Sequence, residues 1–171
     1  MQKTKILFDM KNIQYKAGTW NWKIISLTVL RVAIGWHFLF EGLLKVTNPE
    51  WSAAYFLNTS VGPFASIFNG IAANPTLLGI ADFMNEWGLV AVGLSLIIGL
   101  LSRWACIGGM LLLALYYLAN PPFIGLGNAA MTEGNYLIVN KNLIEFFALW
   151  VLYIFNDSSV YGLDRLFVRK K

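Results

Sequence analysis

The chain is poor in the residues that carry most redox and metal chemistry. Its 171 residues hold one cysteine, Cys106, and one histidine, His37. A lone cysteine excludes a CxxC redox pair, covalent haem attachment through CxxCH and any disulfide within the chain. A lone histidine cannot supply two haem axial ligands, and the paired Glu-x-x-His motifs of di-iron helix bundles are missing. No haem, iron-sulfur cluster or resident metal is therefore expected, and any redox role needs a bound organic carrier or a partner subunit. Charge is also scarce, at 13% of residues against about 25% in soluble domains.

What is abundant is apolar surface. Hydrophobic residues make up 57% of the chain and the mean hydropathy is +0.58, which points to an integral membrane protein. Four apolar segments approach the roughly 20 residues needed to cross a hydrocarbon core of about 30 Å. They run from Ile24 to Leu44, Leu77 to Leu101, Trp104 to Ala119 and Tyr136 to Phe155. The expected fold is all-α, an integral membrane four-helix bundle over residues 24–155 between a basic arm, 1–23, and a basic tail, 156–171.

Lys3, Lys5, Lys11, Lys16 and Lys23 oppose only Asp9 in the arm, and Arg165, Arg169, Lys170 and Lys171 lie in the tail. With Arg103 between the second and third spans, positive charge gathers on one side, so both termini are expected in the cytoplasm. The apolar run Ile6-Leu7-Phe8 is too short for the core of a cleavable signal peptide. A multi-pass membrane location follows as the expectation, with lipid as the first partner and no nucleic-acid partner.

The connection from Val46 to Thr76 is long for a structureless loop. Asn48-Pro49-Glu50 and Asn74-Pro75 read as helix starts, with asparagine as cap and proline at the first helical position. The aromatic sequence between them predicts two short interfacial helices in this first extracytoplasmic loop, broken at Gly62-Pro63.

Charged residues inside apolar helices are costly and ask for a reason. On the first span His37, Glu41 and Lys45 recur every fourth residue, which holds them within an arc of about 80°. Asp82, Asn85 and Glu86 share a face of the second span, and Lys141, Asn142 and Glu145 share one on the fourth. Counting about 1.5 Å per residue places all of them in the outer half of the membrane. Helical side chains lean toward the N-terminus, so those of the first span lean toward those of the other two. A polar cluster is expected there, with Tyr116 and Tyr117 of the third span and Trp36 and Trp87 as candidate flat walls. Arg31 stands apart in the inner half with no acid at its depth. It is read either as snorkelling to lipid phosphate or as binding the C-terminal carbonyls of the second span.

Three readings of the cluster stay open on residues alone: mutual neutralisation that locks helices, a metal site disfavoured by two lysines, and a small-molecule site or proton path. Gly88, Gly93, Gly99, Gly108 and Gly109 are expected to let helices approach closely.

The segment LRVAIGWHFLFEGLLKV resembles the opening helix of the DoxX and DoxD membrane proteins, through Arg31, Gly35, Phe38, Gly42 and Lys45. EWGLVAVGLSLIIGLLSRWA resembles their second helix with its basic turn, and NKNLIEFFAL is similar to the fourth. The extended first loop is more like DoxD, the small subunit of thiosulfate:quinone oxidoreductase. The resemblance implies a four-helix subunit of a bacterial inner membrane, linked to quinone-dependent oxidation of reduced sulfur compounds. On this reading His37, Glu41 and Glu86 are candidates for head-group bonding or proton relay. Lys45, Asn85, Lys141, Asn142, Glu145, Tyr116 and Tyr117 form the binding shell. Quinone is the expected cofactor and a second protein subunit the expected partner, with a homo-oligomer left open. The alternatives are a non-catalytic assembly protein and, lower, a small transporter, for which no broken-helix pair or internal repeat is visible.

Overall fold

Helix α1 spans Trp22–Val46, continuous across Arg31 and the polar stripe, and it sets the frame for the other elements. A computed structural model of the chain describes residues 22–123 and 137–168. The lysine-rich arm before Trp22, the loop residue Glu133 and the basic residues Arg169, Lys170 and Lys171 lie outside the described residues. Among the described residues the structure is helical, without β-strands. After α1 come α2 (Ala54–Asn58), α3 (Ala65–Ala73), α4 (Pro75–Ile98), α5 (Ser102–Ala119), α6 (Lys141–Phe155), α7 (Ser158–Tyr161) and α8 (Asp164–Val168).

Three of these, α1, α4 and α5, are long and apolar enough to cross a membrane by length and composition. They mark a multi-pass membrane protein. The fourth apolar segment differs from its expected extent, because the helix begins at Lys141 and not at Tyr136. The Asn140 backbone is extended, and its side chain accepts a hydrogen bond from the Leu143 amide, a cap that starts the helix there. Its 15 residues reach about 22 Å, short of a 30 Å core.

Helix α1 packs on α4 more extensively than any other pair, and α5 packs between α4 and α6. Glycines explain the closeness of α1 and α4. A Cβ added at Gly35 would lie 2.9 Å from Leu96, one at Gly42 would lie 2.8 Å from Val90, and one at Gly93 would strike the Leu39 backbone. The partners descend along α4 as α1 ascends, so the two helices are antiparallel. Gly88 has no such role, since its nearest neighbour would be 3.8 Å away. A single buried core joins Ile34 and Phe38 of α1, Leu89, Val92 and Leu96 of α4, Cys106 and Leu113 of α5, and Leu149 and Leu152 of α6.

The α1–α4 connection folds over one end of this core. Asn74 caps α4 by accepting from Thr76 and Leu77, with Pro75 in the first turn, as its sequence predicts. Asn48 instead makes a turn, accepting from the Glu50 amide, and the helix that follows starts only at Ala54. Buried Ala53, Leu57, Phe68 and Ala119 form a second apolar cluster. The Val61 amide donates to the Ala119 carbonyl at 3.0 Å, tying the connection to the end of α5.

The other end of the core is closed by the segment after α6. Asn156 adopts a left-handed conformation, φ 44°, which ends α6 and turns the chain back across the helix ends. Asp157 then meets Arg31, whose Nε donates to it at 2.9 Å, while the guanidinium also donates to the carbonyls of Leu96 and Tyr161. Thr28 donates to the same carboxylate at 2.9 Å. Arg31 is thus fully buried and does not snorkel to lipid. The acid that pairs with it was hidden in what the sequence presents as a basic tail. Asp164 accepts from the amides of Leu101 and Ser102 and from the Ser158 hydroxyl, so it caps α5 from a distant part of the chain. Gly99 makes this docking fit: at φ 71° an added Cβ would lie 2.7 Å from Gly162 and 2.8 Å from Arg31.

Candidate functional site

The polar stripe of α1 borders a cavity of about 350 Å³ at the end of the core remote from Arg31. The last turns of α1 and the first turns of α6 flank it, and Trp51 and Ala53 of the connection together with Phe56 of α2 roof it. Phe38, Leu89 and Leu113 line it as apolar wall, and all three are buried.

The charged groups occupy it in pairs. His37 Nδ1 lies 2.8 Å from Glu145 Oε1, joining α1 to α6, with the imidazole 44% and the carboxylate 12% exposed. Lys45 donates to Glu41 Oε2 at 2.9 Å along one helix face. The same ammonium lies 5.5 Å from the centre of the Trp51 ring, a cation–π contact that holds the roof to α1. Lys141, at the first position of α6, and Asn142 beside it also line the cavity. Among the described residues no ion pair joins Lys141 to an acid.

Asn85 of α4 and Tyr116 of α5 complete the lining. The Asn85 amide oxygen and the Tyr116 hydroxyl are both shielded and have no hydrogen-bond partner. The two side chains are neighbours without meeting hydrogen-bond geometry. Buried polar groups left unpaired are rare and each asks for an explanation.

Of the ten expected site residues, His37, Glu41, Lys45, Asn85, Tyr116, Lys141, Asn142 and Glu145 lie together around this cavity. Glu86 and Tyr117 do not line it. Successive helical residues are about 100° apart, so Asn85 and Leu89 face the cavity while Glu86 is rotated past it. Tyr117 turns the other way and donates to the Ile138 carbonyl at 2.8 Å. Asp82, grouped with Asn85 and Glu86 in sequence, instead accepts from Ser52 and from the Ala53 amide, fixing the roof to α4. Trp36 and Trp87 are 61% and 50% exposed and face away from the core. Sequence reasoning missed the roof. Lys45 followed six residues later by Trp51, just past the end of a helix, was the available signal.

Chemically the arrangement offers a proton-sharing histidine–carboxylate pair, hydrogen-bond donors on three helices and aromatic walls. Among the described residues no group of three or more potential metal ligands is gathered. The chain matches no family model, no curated protein and no solved structure.

Proposed function

We propose that this chain is a four-helix membrane subunit of the DoxX/DoxD type, similar to the DoxD small subunit of thiosulfate:quinone oxidoreductase, and that its cavity holds a quinone head group. On this reading α6 is the fourth span. The side of Arg103 faces the cytoplasm of a bacterial inner membrane, by the positive-inside rule.

The observation that carries the proposal is the orphaned Tyr116 hydroxyl, a buried donor without an acceptor at a cavity that also has apolar walls, beside the orphaned acceptor Asn85 Oδ1, which a quinone carbonyl leaves unpaired and the hydroxyl of the reduced quinol would satisfy. A quinone fits this donor set. Its carbonyls need hydrogen-bond donors, which Tyr116, Lys141, Asn142 and the Asn85 amide can provide, and its ring needs flat apolar neighbours such as Phe38 and Phe56. When bound, a quinone would supply a two-electron, two-proton acceptor. The residues of the chain then have separate tasks. Lys141 and Asn142 orient the head group, Phe56 and Trp51 pack against it, and the His37–Glu145 pair holds or passes a proton at Nδ1 or Oε1. Lys45 keeps Glu41 neutralised and secures the roof. Electrons come from a partner subunit.

The test is purification from native membrane with extraction of bound lipids. Quinone and a co-purifying redox subunit are expected together, and Glu145→Gln lowers quinone-dependent turnover while the protein remains folded. A folded, partner-bound chain free of quinone would remove the proposal. It would leave a second reading, a non-catalytic assembly protein, which the internal neutralisation of Glu41 by Lys45 and of Glu145 by His37 favours. A small transporter would be revived only by proton-coupled uptake in liposomes.

A further inference from the structure

The cavity and Arg31 share helix α1, yet no charged side chain connects them. From His37 down to Arg31 is six residues of α1, about 9 Å of helix rise. Ile34, Val92, Leu96, Cys106 and Leu149 fill that interval, all nine-tenths or more buried. No charged side chain of α1, α4, α5 or α6 lies between the two levels.

The interval is also too tight for water. A Cβ added at Gly109 of α5 would lie 2.8 Å from Leu149, 3.3 Å from Phe38 and 3.4 Å from Val92, so α1, α4, α5 and α6 interlock at this level. Gly35 and Gly93 bring α1 and α4 together backbone to backbone along the same stretch. A water needs both room and two to four polar partners, and the buried side chains that fill this layer, Ile34, Val92, Leu96 and Leu149, carry no polar group. Beyond it, the segment 157–164 covers the helix ends through Arg31 and Asp164. At the other end, Lys45 near the close of α1, Lys141 at the start of α6 and the roof residue Trp51 all border the cavity.

We propose that the cavity exchanges protons with one aqueous side only, the side of the C-terminal end of α1, and that the Ile34–Val92–Leu96–Leu149 layer seals it from the side of Arg103. This rests on the cavity being a ligand site with a working His37–Glu145 pair. It adds a direction. Any proton that the pair gives up or takes during turnover leaves or enters on the side of Lys45 and Lys141, so the reaction is electrically and chemically sided even though no charge crosses the chain.

Substituted-cysteine labelling of the full chain in vesicles tests it. The parent chain, whose Cys106 is 1% exposed, provides the unlabelled background. Glu50→Cys and Arg103→Cys, at exposed positions on opposite sides, establish vesicle orientation. An impermeant sulfonated maleimide, applied outside or trapped inside, is then offered to Asn142→Cys and, in case that variant misfolds, to Lys141→Cys. Labelling is expected from the Glu50 side and lost from the Arg103 side. Labelling from the Arg103 side, or from neither side in both variants, overturns the proposal. Quinone is assayed on the same preparations. One-sided labelling without quinone would remove the ligand reading and spare the seal, whereas two-sided labelling with quinone present would remove the seal alone.

Discussion

Arg31 and Asp157 stand 126 residues apart in the chain and form an ion pair at 2.9 Å in which each side chain is only 2% exposed. The guanidinium satisfies three acceptors, on Asp157, on Leu96 of α4 and on Tyr161 of α7, because it presents several N–H groups in a fixed planar fork. Removing either partner leaves an uncompensated buried charge. Arg31→Ala and Asp157→Ala are therefore each expected to lower stability by about 3–5 kcal/mol, read as loss of resistance to denaturing detergent. Arg31→Lys should not rescue, since one ammonium cannot reproduce the fork. The double change Arg31→Met with Asp157→Leu should recover part of the loss, and a double variant as weak as the singles would contradict this account.

Asp164 offers a pH-dependent counterpart. Burial alone would raise its carboxyl, but hydrogen bonds from the Ser158 hydroxyl and from the Ser102 and Leu101 amides outweigh this and hold it below its ordinary range. A lowered folded value means the carboxylate contributes stability that is complete above the ordinary aspartate value of about 3.9. It is lost as pH falls below that through the folded value. Asp164→Asn should cost about 1 kcal/mol near neutrality, and the gap to the parent should narrow in detergent unfolding carried out below about pH 4. A gap that is constant with pH would rule out the charged cap.

Glycine contacts separate packing from propensity. Gly93→Ala should destabilise by about 1–3 kcal/mol, because the new methyl overpacks against the Leu39 backbone, which cannot turn aside. Gly79 lies in the same helix with open space around it. There the same substitution should stabilise by about 0.5–1 kcal/mol. Thermal unfolding of the two variants side by side checks the opposite signs.

Tyr116→Phe tests whether the orphaned hydroxyl serves a ligand. Without a ligand, removing an unpaired buried hydroxyl is expected to be neutral or to stabilise the empty protein. With a quinone donor role, affinity should fall by about tenfold, the equivalent of one hydrogen bond of about 1.4 kcal/mol. Equilibrium binding of a short-chain quinone, alongside unfolding of the empty protein, separates these outcomes.

Much of this architecture was legible in one dimension. Apolar run lengths marked α1, α4 and α5, and Asn74-Pro75 announced the start of α4. The four-residue spacing of His37, Glu41 and Lys45 set one polar stripe. These features are local, set by helix period and capping chemistry, so sequence by itself determined them. Tertiary structure decided the partners. Periodicity states which residues share a face of a helix but not how that face is rotated against its neighbours. That rotation is set here by glycine contacts at Gly35, Gly93 and Gly109. It brings Glu145 to His37, turns Asn85 inward and Glu86 aside, and sends Trp36 and Trp87 outward. The length of α6 depended on Asn140 acting as a cap within an apolar run. The left-handed turn at Asn156 carried Asp157 back to Arg31, a contact that exists only because the helix ends converge.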